Sequence, residues 1–144
     1  MNITNKVLNS KTVTLEPREV VRVDAAIALG LLEIVMVDDP DYDFENLCGD
    51  TYNPDVNPDI NPEQLNKEKH EFKRRVNREG VFGVVLKCRS LPSSEWTEIE
   101  TIWGFVGEDF IGSGYDNDFI NTAHDWLHAE IDATTMYRLI TDLM

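Results

Sequence analysis

The spacing of apolar residues predicts three main strands. Apolar and β-branched residues dominate residues 33–37, 81–89 and 97–106, as is typical of strands in a partly buried sheet. The polar, proline-containing residues 90–95 between the last two predict a hairpin turn. Alternation over residues 12–15 predicts a further short strand that ends before Pro17.

Helical spacing predicts a helix at residues 62–79 and another at 117–143. Asn61 is a suitable N-cap for the first, Pro62 suits the first helical position, and Gly80 suits the position after its end. The second has apolar residues at helical spacing on its expected core face: Phe119, Ala123, Trp126, Leu127 and Ile131.

Residues 19–31 are compatible with two interpretations. One continuous helix would align several valines but would place Asp24 in the apolar face, where an unpaired charge is costly. We therefore predict a strand over residues 19–23, Asp24 as an N-cap, and a short helix over residues 25–31.

Together these elements predict an α+β fold in a single domain, residues 1–144. We expect a small, mostly antiparallel sheet with a central hairpin at about 81–106, packed by the helices at about 62–79 and 117–143. The chain has 144 residues, 42% of them hydrophobic, which is enough for a core without a disulfide or a metal.

Charge narrows the functional classes. The formal net charge is −14 at pH 7, which argues against direct binding to nucleic acid or anionic lipid. No apolar run is long enough to span a membrane, and no signal peptide is visible at the N-terminus, so we expect a cytoplasmic protein. Cys48 and Cys88 lack a redox or metal-binding spacing and are expected to be reduced.

An acidic segment, residues 38–63, contains nine carboxylates and no lysine or arginine. It includes an Asn-Pro-Asp/Glu repeat with a period of four, which disfavours an ordinary helix and predicts a long loop. Extended carboxylates on one side of a chain repeat about every 6.6 Å, a spacing that can imitate a phosphate strand. The alternative is a solvated loop that only keeps the protein soluble. The carboxylates predicted to meet a partner are Asp38, Asp39, Asp41, Asp43, Glu45, Asp50, Asp55, Asp59, Glu108, Asp109, Asp116 and Asp118.

Two patterns suggest metal ligands. His124, His128 and Asp132 are spaced four apart on a predicted helix, an arrangement that can hold Zn²⁺, but a polar helix boundary with local hydrogen bonds is the favoured interpretation. Asp55, Asn57 and Asp59 match the first ligands of a calcium loop. Ile60 and Asn66 stand where that loop needs Gly and Glu, so only a looser Ca²⁺ site stays open.

The glycine-rich run 112–114 before the last helix predicts a structural turn, because the acidic residues around it would repel phosphate. Residues 63–79 carry six of the 13 basic residues. This basic helix either docks on the acidic segment of its own chain, pairs with a second copy in a homodimer, or is a solvated face with internal ion pairs.

Residues 80–83, 103–110 and 114–116 (GVFG, WGFVGEDF and GYD) resemble small acidic proteins of phages and mobile elements that have no assigned activity. In size and charge the chain is also similar to anti-restriction and anti-CRISPR inhibitors that imitate DNA. That resemblance implies an inhibitor acting on a basic nucleic-acid-binding protein of the host.

Three hypotheses follow from the sequence. The first is a non-enzymatic acidic inhibitor with no cofactor and no direct contact with nucleic acid or membrane. The second is a metal-binding module or small hydrolase that uses His124, His128 and Asp132. The third is a structural protein that self-associates through residues 63–79. Enzymatic activity is left open, with a non-enzymatic role favoured, because no nucleophile constellation stands out.

Overall fold

The computed structural model describes residues 1–131 together with Arg138 and Thr141. Within them the chain forms five helices and a three-stranded antiparallel sheet, which confirms the α+β class. The helices are α1 (Thr4–Leu8), α2 (Pro17–Ala28), α3 (Phe44–Cys48), α4 (Pro62–Glu79) and α5 (Tyr115–Glu130). The strands are β1 (Leu32–Asp38), β2 (Val81–Cys88) and β3 (Thr97–Val106), in the sheet order β1-β2-β3.

The predicted hairpin is confirmed as β2 and β3, and β1 pairs with the other side of β2. The outer edge of β1 is partly covered by the N-terminal residues. The Ile3 N–H donates to the Ile34 carbonyl at 2.8 Å, and the Met1 amino group donates to the Met36 carbonyl at 2.9 Å.

Strand β3 is irregular at two places. Its register against β2 shifts between Leu86 and Lys87, and again between Phe82 and Val84, so β3 carries one extra residue at each place. At the second bulge Gly104 has a φ of 89°, a conformation that glycine adopts without strain.

The main core lies on one face of the sheet. Ile34, Val84 and Leu86 point from β1 and β2 into a cluster with α1, α2 and α5. Phe110 and Phe119 fill its far end, where their rings meet edge to face with centroids 4.9 Å apart. A second, smaller cluster packs α4 on the opposite face at one end of the sheet, through Val76, Val81 and Val106.

The prediction for residues 19–31 was wrong: α2 is one continuous helix, and Asp24 caps nothing. The buried line of this helix runs through Val23 and Ala26, so Asp24 projects into solvent and pays no burial cost. Because Val21 lies off this buried line, it is 68% exposed despite being apolar.

The strand predicted over residues 12–15 is absent as well. The polar groups there bond to the start of α5 rather than to another strand. The Thr12 hydroxyl donates to Asp116 at 2.6 Å, and the Thr14 N–H donates to the side-chain oxygen of Asn117 at 2.9 Å.

The predicted helix at residues 62–79 is confirmed as α4, with the Asn61 side chain accepting from the Glu63 N–H at 2.8 Å. The helix predicted from residue 117 is confirmed as α5, which ends at Glu130. The rest of that prediction, residues 132–143, lies outside the described residues except for Arg138 and Thr141, which are both helical.

Candidate interaction surface

The acidic segment, residues 38–63, folds into a fixed shape made of turns and one short helix. The five-residue helix α3 was not predicted. It begins where the Asp43 carboxylate accepts from the Glu45 N–H at 2.9 Å, an N-cap bond that offsets one unpaired donor of the first turn.

The asparagines of the Asn-Pro repeat hold the turns that follow. Asn53 and Asn61 each accept from the backbone N–H two residues ahead, at 3.0 and 2.8 Å. Asn57 instead donates its side-chain amide to the Thr51 carbonyl at 2.8 Å. The repeat therefore encodes a series of side-chain-stabilised turns, because asparagine side chains can replace backbone partners in this way.

Aromatic packing attaches the acidic segment to α4. The Phe72 ring on α4 lies 5.8 Å from the Phe44 ring and 6.1 Å from the Tyr52 ring, centroid to centroid. Cys48 is buried beside them, and desolvation raises the pKa of its thiol, which disfavours the reactive thiolate. The segment is thus held on a helix rather than free in solvent.

The carboxylates of the acidic segment point outward. Within the described part of the chain, Glu45 is the member of this segment that pairs with a cation, at 3.1 Å from Lys69 of α4. The exposed carboxylates are Asp38, Asp41, Asp43, Glu45, Asp50, Asp55, Asp59 and Glu63, and Asp39 is half-buried.

Glu108 and Asp109, two further predicted partner residues, are neutralised within the chain. Lys6 lies 2.6 Å from Glu108, and Arg75 lies 2.5 Å from Asp109 and 2.8 Å from Glu79. The hydrogen bonds that the Arg75 guanidinium donates to Asp109, and next to Glu79, raise its pKa. The basic helix α4 therefore docks on acidic groups of its own chain, and these two carboxylates are less available to a partner.

Asp116 was wrongly assigned to the partner surface, because it is fully buried. Its carboxylate accepts from Thr12 and from the backbone N–H groups of Gly112, Gly114 and Asn117, at 2.6 to 3.1 Å. Burial alone would raise the pKa of Asp116, but hydrogen bonds from Ser10, Thr12 and the backbone N–H groups of Gly112 and Asn117 outweigh it and lower the pKa. Asp118, two residues further along the first turn of α5, is exposed.

The glycine-rich turn before α5 therefore holds a carboxylate of its own chain. The two N–H groups of Gly112 and Gly114 that could have faced a phosphate are directed at Asp116. The prediction of a structural turn at residues 112–114 agrees with this geometry.

His124 and His128 come together on α5, but with an arginine. Their rings stack with centroids 6.1 Å apart. The Arg22 guanidinium of α2 contacts Nδ1 of His128 and lies 3.5 Å from Nε2 of His124. A fixed positive charge against both imidazoles opposes a metal cation at these atoms.

The third predicted ligand, Asp132, lies outside the described residues. Among residues 1–131, no three histidine, cysteine, aspartate or glutamate side chains are grouped closely enough to hold a metal ion. The groove between α2 and α5 at this point, about 440 Å³, is lined by both charges: Glu16, Glu19 and Asp125 as well as Arg18, Arg22 and the histidines.

The sequence did not predict a candidate site on the sheet face opposite the main core, in the part that α4 does not cover. Val35, Val85 and Thr101 form one row across the three strands on that face. Trp103 lies next to this row with its side chain 54% exposed. The only sequence signal was Gly83, which leaves room for the Trp103 ring: a Cβ there would stand 2.2 Å from a ring atom.

Comparison with known proteins adds no assignment, since no family model, curated protein or solved structure matches this chain. No helix in the described part of the chain has the length and apolar character needed to cross a membrane.

Proposed function

We propose that this protein is a non-enzymatic inhibitor whose acidic segment binds the basic nucleic-acid-binding surface of a host enzyme, in the manner of anti-restriction and anti-CRISPR proteins. The supporting observation is the fixed conformation of residues 38–63 with its carboxylates in solvent. Asparagine-capped turns and the Phe72 contacts hold that conformation before any partner arrives. A preordered surface loses less conformational entropy on binding than a free loop does.

Charge supplies the attraction. A protein with net charge −14 is drawn to a basic groove and competes there with nucleic acid, and added salt weakens both interactions. The surface is centred on Asp38, Asp39, Asp41 and Asp43 with Asp50, Asp55 and Asp59, because Asp116 is buried and Glu108 and Asp109 are paired internally. The host-defence setting of this proposal rests on the resemblance in size and charge alone.

The test is inhibition of DNA cleavage by a type I restriction enzyme and by a Cas9–guide complex. We expect salt-sensitive inhibition of at least one of them. The triple variant D39N/D41N/D43N should weaken inhibition by tenfold or more, since each lost contact with a cationic groove costs about 0.5–1 kcal/mol. Asparagine at position 43 keeps an N-cap for α3, so the segment should stay folded.

The control variant D24N/E95Q/E130Q removes the same charge from exposed positions outside the acidic segment. It should inhibit nearly as well as the original protein. Equal loss in both variants would mean that net charge acts without a defined surface. Absence of inhibition and of binding to either enzyme would contradict the host-defence form of the proposal.

A further inference from the structure

The open sheet face, defined here as Val35, Val37, Val85, Thr101 and Trp103, is apolar and lies beside the acidic segment. Val37, Gly83 and Trp103 are neighbours across the strands at one end of it, and Val37 is followed directly by Asp38. Leu47 of α3 reaches to within 3.5 Å of the place that a Cβ on Gly104 would occupy, next to Trp103. The exposed indole therefore lies at the end of the face where the chain enters the acidic segment.

The described helices do not cluster with this face, and solvent reaches it mainly at Trp103, because Val85 in the central strand is buried and Val35, Val37 and Thr101 are half-buried. Val35, Val37 and Val85 belong to neither of the two hydrophobic clusters of the described chain. The α4 cluster covers the Val81–Val106 end of the same face and includes Leu47. Trp103 is held in place from below, because its ring lies directly on the backbone of Gly83.

Charge determines which occupant fits. One row of the same face reads Glu33, Lys87, Glu98 across the three strands, so a single cation stands between two carboxylates. At the other end Asp39 follows on the same side, beside Val81, whereas Asp38 is in register with Phe82 on the core side. A second copy of this chain would bring the same negative rim against it, whereas a cationic surface meets complementary charge at both ends.

We propose that Trp103 on the open sheet face receives an arginine side chain of the basic partner, whose other cations meet the acidic segment. This inference rests on the proposed function and names the contact that would give it specificity. A guanidinium stacks flat on an indole and gives up its hydration more readily than a lysine ammonium does, so an arginine-bearing surface is favoured over a lysine-bearing one. The same chemistry already occurs within the chain, where the Arg89 guanidinium lies 4.1 Å above the Trp96 ring.

The experiment measures the binding of fluorescently labelled hexa-arginine and hexalysine peptides to the full chain by anisotropy at low salt. We expect the original protein to bind hexa-arginine more tightly than hexalysine. W103A should weaken hexa-arginine binding by about tenfold and hexalysine binding much less, so that the preference disappears. W103F, which keeps a smaller aromatic face, should retain part of the preference.

W96F is the matched control, because the Trp96 ring is already occupied by Arg89 and its substitution should leave the preference unchanged. Far-UV circular dichroism checks that each variant is folded. Equal affinity of the original protein for the two peptides, or an unchanged preference in W103A, would overturn the inference.

A separate outcome distinguishes this inference from the proposed function. If D39N/D41N/D43N weakens both peptides while W103A changes neither, the acidic surface stands and the arginine contact is wrong. If neither variant changes binding, both are wrong. A dimeric mass that becomes monomeric in W103A would show that a second copy covers this face, which also overturns the arginine contact.

Discussion

Asp116 is a buried carboxylate that stabilises the fold. It ties the turn at residues 112–114, the Thr12 hydroxyl and the first turn of α5 to one another. It also stands at the N-terminal end of α5, where negative charge is favoured by the helix dipole. A carboxylate can accept hydrogen bonds from all of these donors. An amide would place its NH₂ group, itself a donor, against some of them.

We expect D116N to lower the free energy of unfolding by about 2–3 kcal/mol at pH 7, since charge-assisted hydrogen bonds are lost. Urea denaturation measures the change. D118N, at an exposed position in the same helical turn, is the control and should cost under about 1 kcal/mol. Equal urea midpoints for the original protein and D116N would contradict the structural role of this carboxylate.

The stability that Asp116 confers should depend on pH. Its pKa in the folded protein is lowered from the ordinary value of 3.8, so its contribution is complete above about pH 4 and is lost as the pH falls through the lowered pKa. Urea denaturation between pH 5 and pH 2.5 should therefore show a smaller acid-induced loss of stability in D116N than in the original protein. Parallel pH profiles would contradict this expectation.

Gly83 and Trp103 should be energetically coupled. G83A places a methyl group 2.2 Å from the present position of the indole ring, so the ring must move, at a cost of about 1–2 kcal/mol. In the W103A background the same substitution should cost little. A double-mutant cycle by urea denaturation measures the coupling, and a value near zero would show that the indole does not rest on Gly83.

At the scale of elements, α4 and the acidic segment form one unit joined by Phe72. F72A should lower the free energy of unfolding by about 2 kcal/mol, because a half-buried ring is removed from between Phe44 and Tyr52. Hydrogen exchange should increase in α3 and residues 49–57 while β2 stays protected.

The control for F72A is K69Q, which removes the ion pair with Glu45 but leaves the rings in place. Because Lys69 and Glu45 are both partly exposed, its cost should stay below about 1 kcal/mol. Uniform deprotection of the whole chain in F72A would mean that the acidic segment does not open separately from the sheet.

Local signals explain which elements the sequence revealed. Asn61, Pro62 and Gly80 are residues whose own geometry begins or ends a helix, so α4 was predictable without knowing its neighbours. Helix α2 was missed because a continuous helix was expected to bury Asp24, and only the position of the core shows that Asp24 is exposed. Helix α3 is too short for a periodic pattern and depends on the aromatic contacts with Phe72.

The surface was predictable in composition but not in arrangement. The number of carboxylates follows from the sequence, yet their availability depends on partners distant in the chain, such as Lys6 for Glu108 and Arg75 for Asp109. Likewise, only the packing of α2 on α5 shows that an arginine stands against His124 and His128.

For the molecule as a whole, repulsion among its surplus negative charges should limit stability at low ionic strength. Raising sodium chloride from about 20 to 200 mM shortens the screening length about threefold and should raise Tm by a few degrees. D50N/D55N/D59N should melt higher at low salt and respond less to added salt. A fall in Tm with salt would show instead that the ion pairs of Arg75 and Lys6 dominate.

The two bulges of β3 should reduce aggregation of the protein at high concentration. A regular ten-residue edge strand would offer unpaired backbone groups on which identical chains could add as further strands and form fibrils. The extra residue at each bulge interrupts the regular hydrogen-bonding pattern of β3, and Glu98 and Glu100 add charge along this edge strand. Concentrated solutions should consequently resist amyloid-like growth, despite the apolar stretch from Ile102 to Val106.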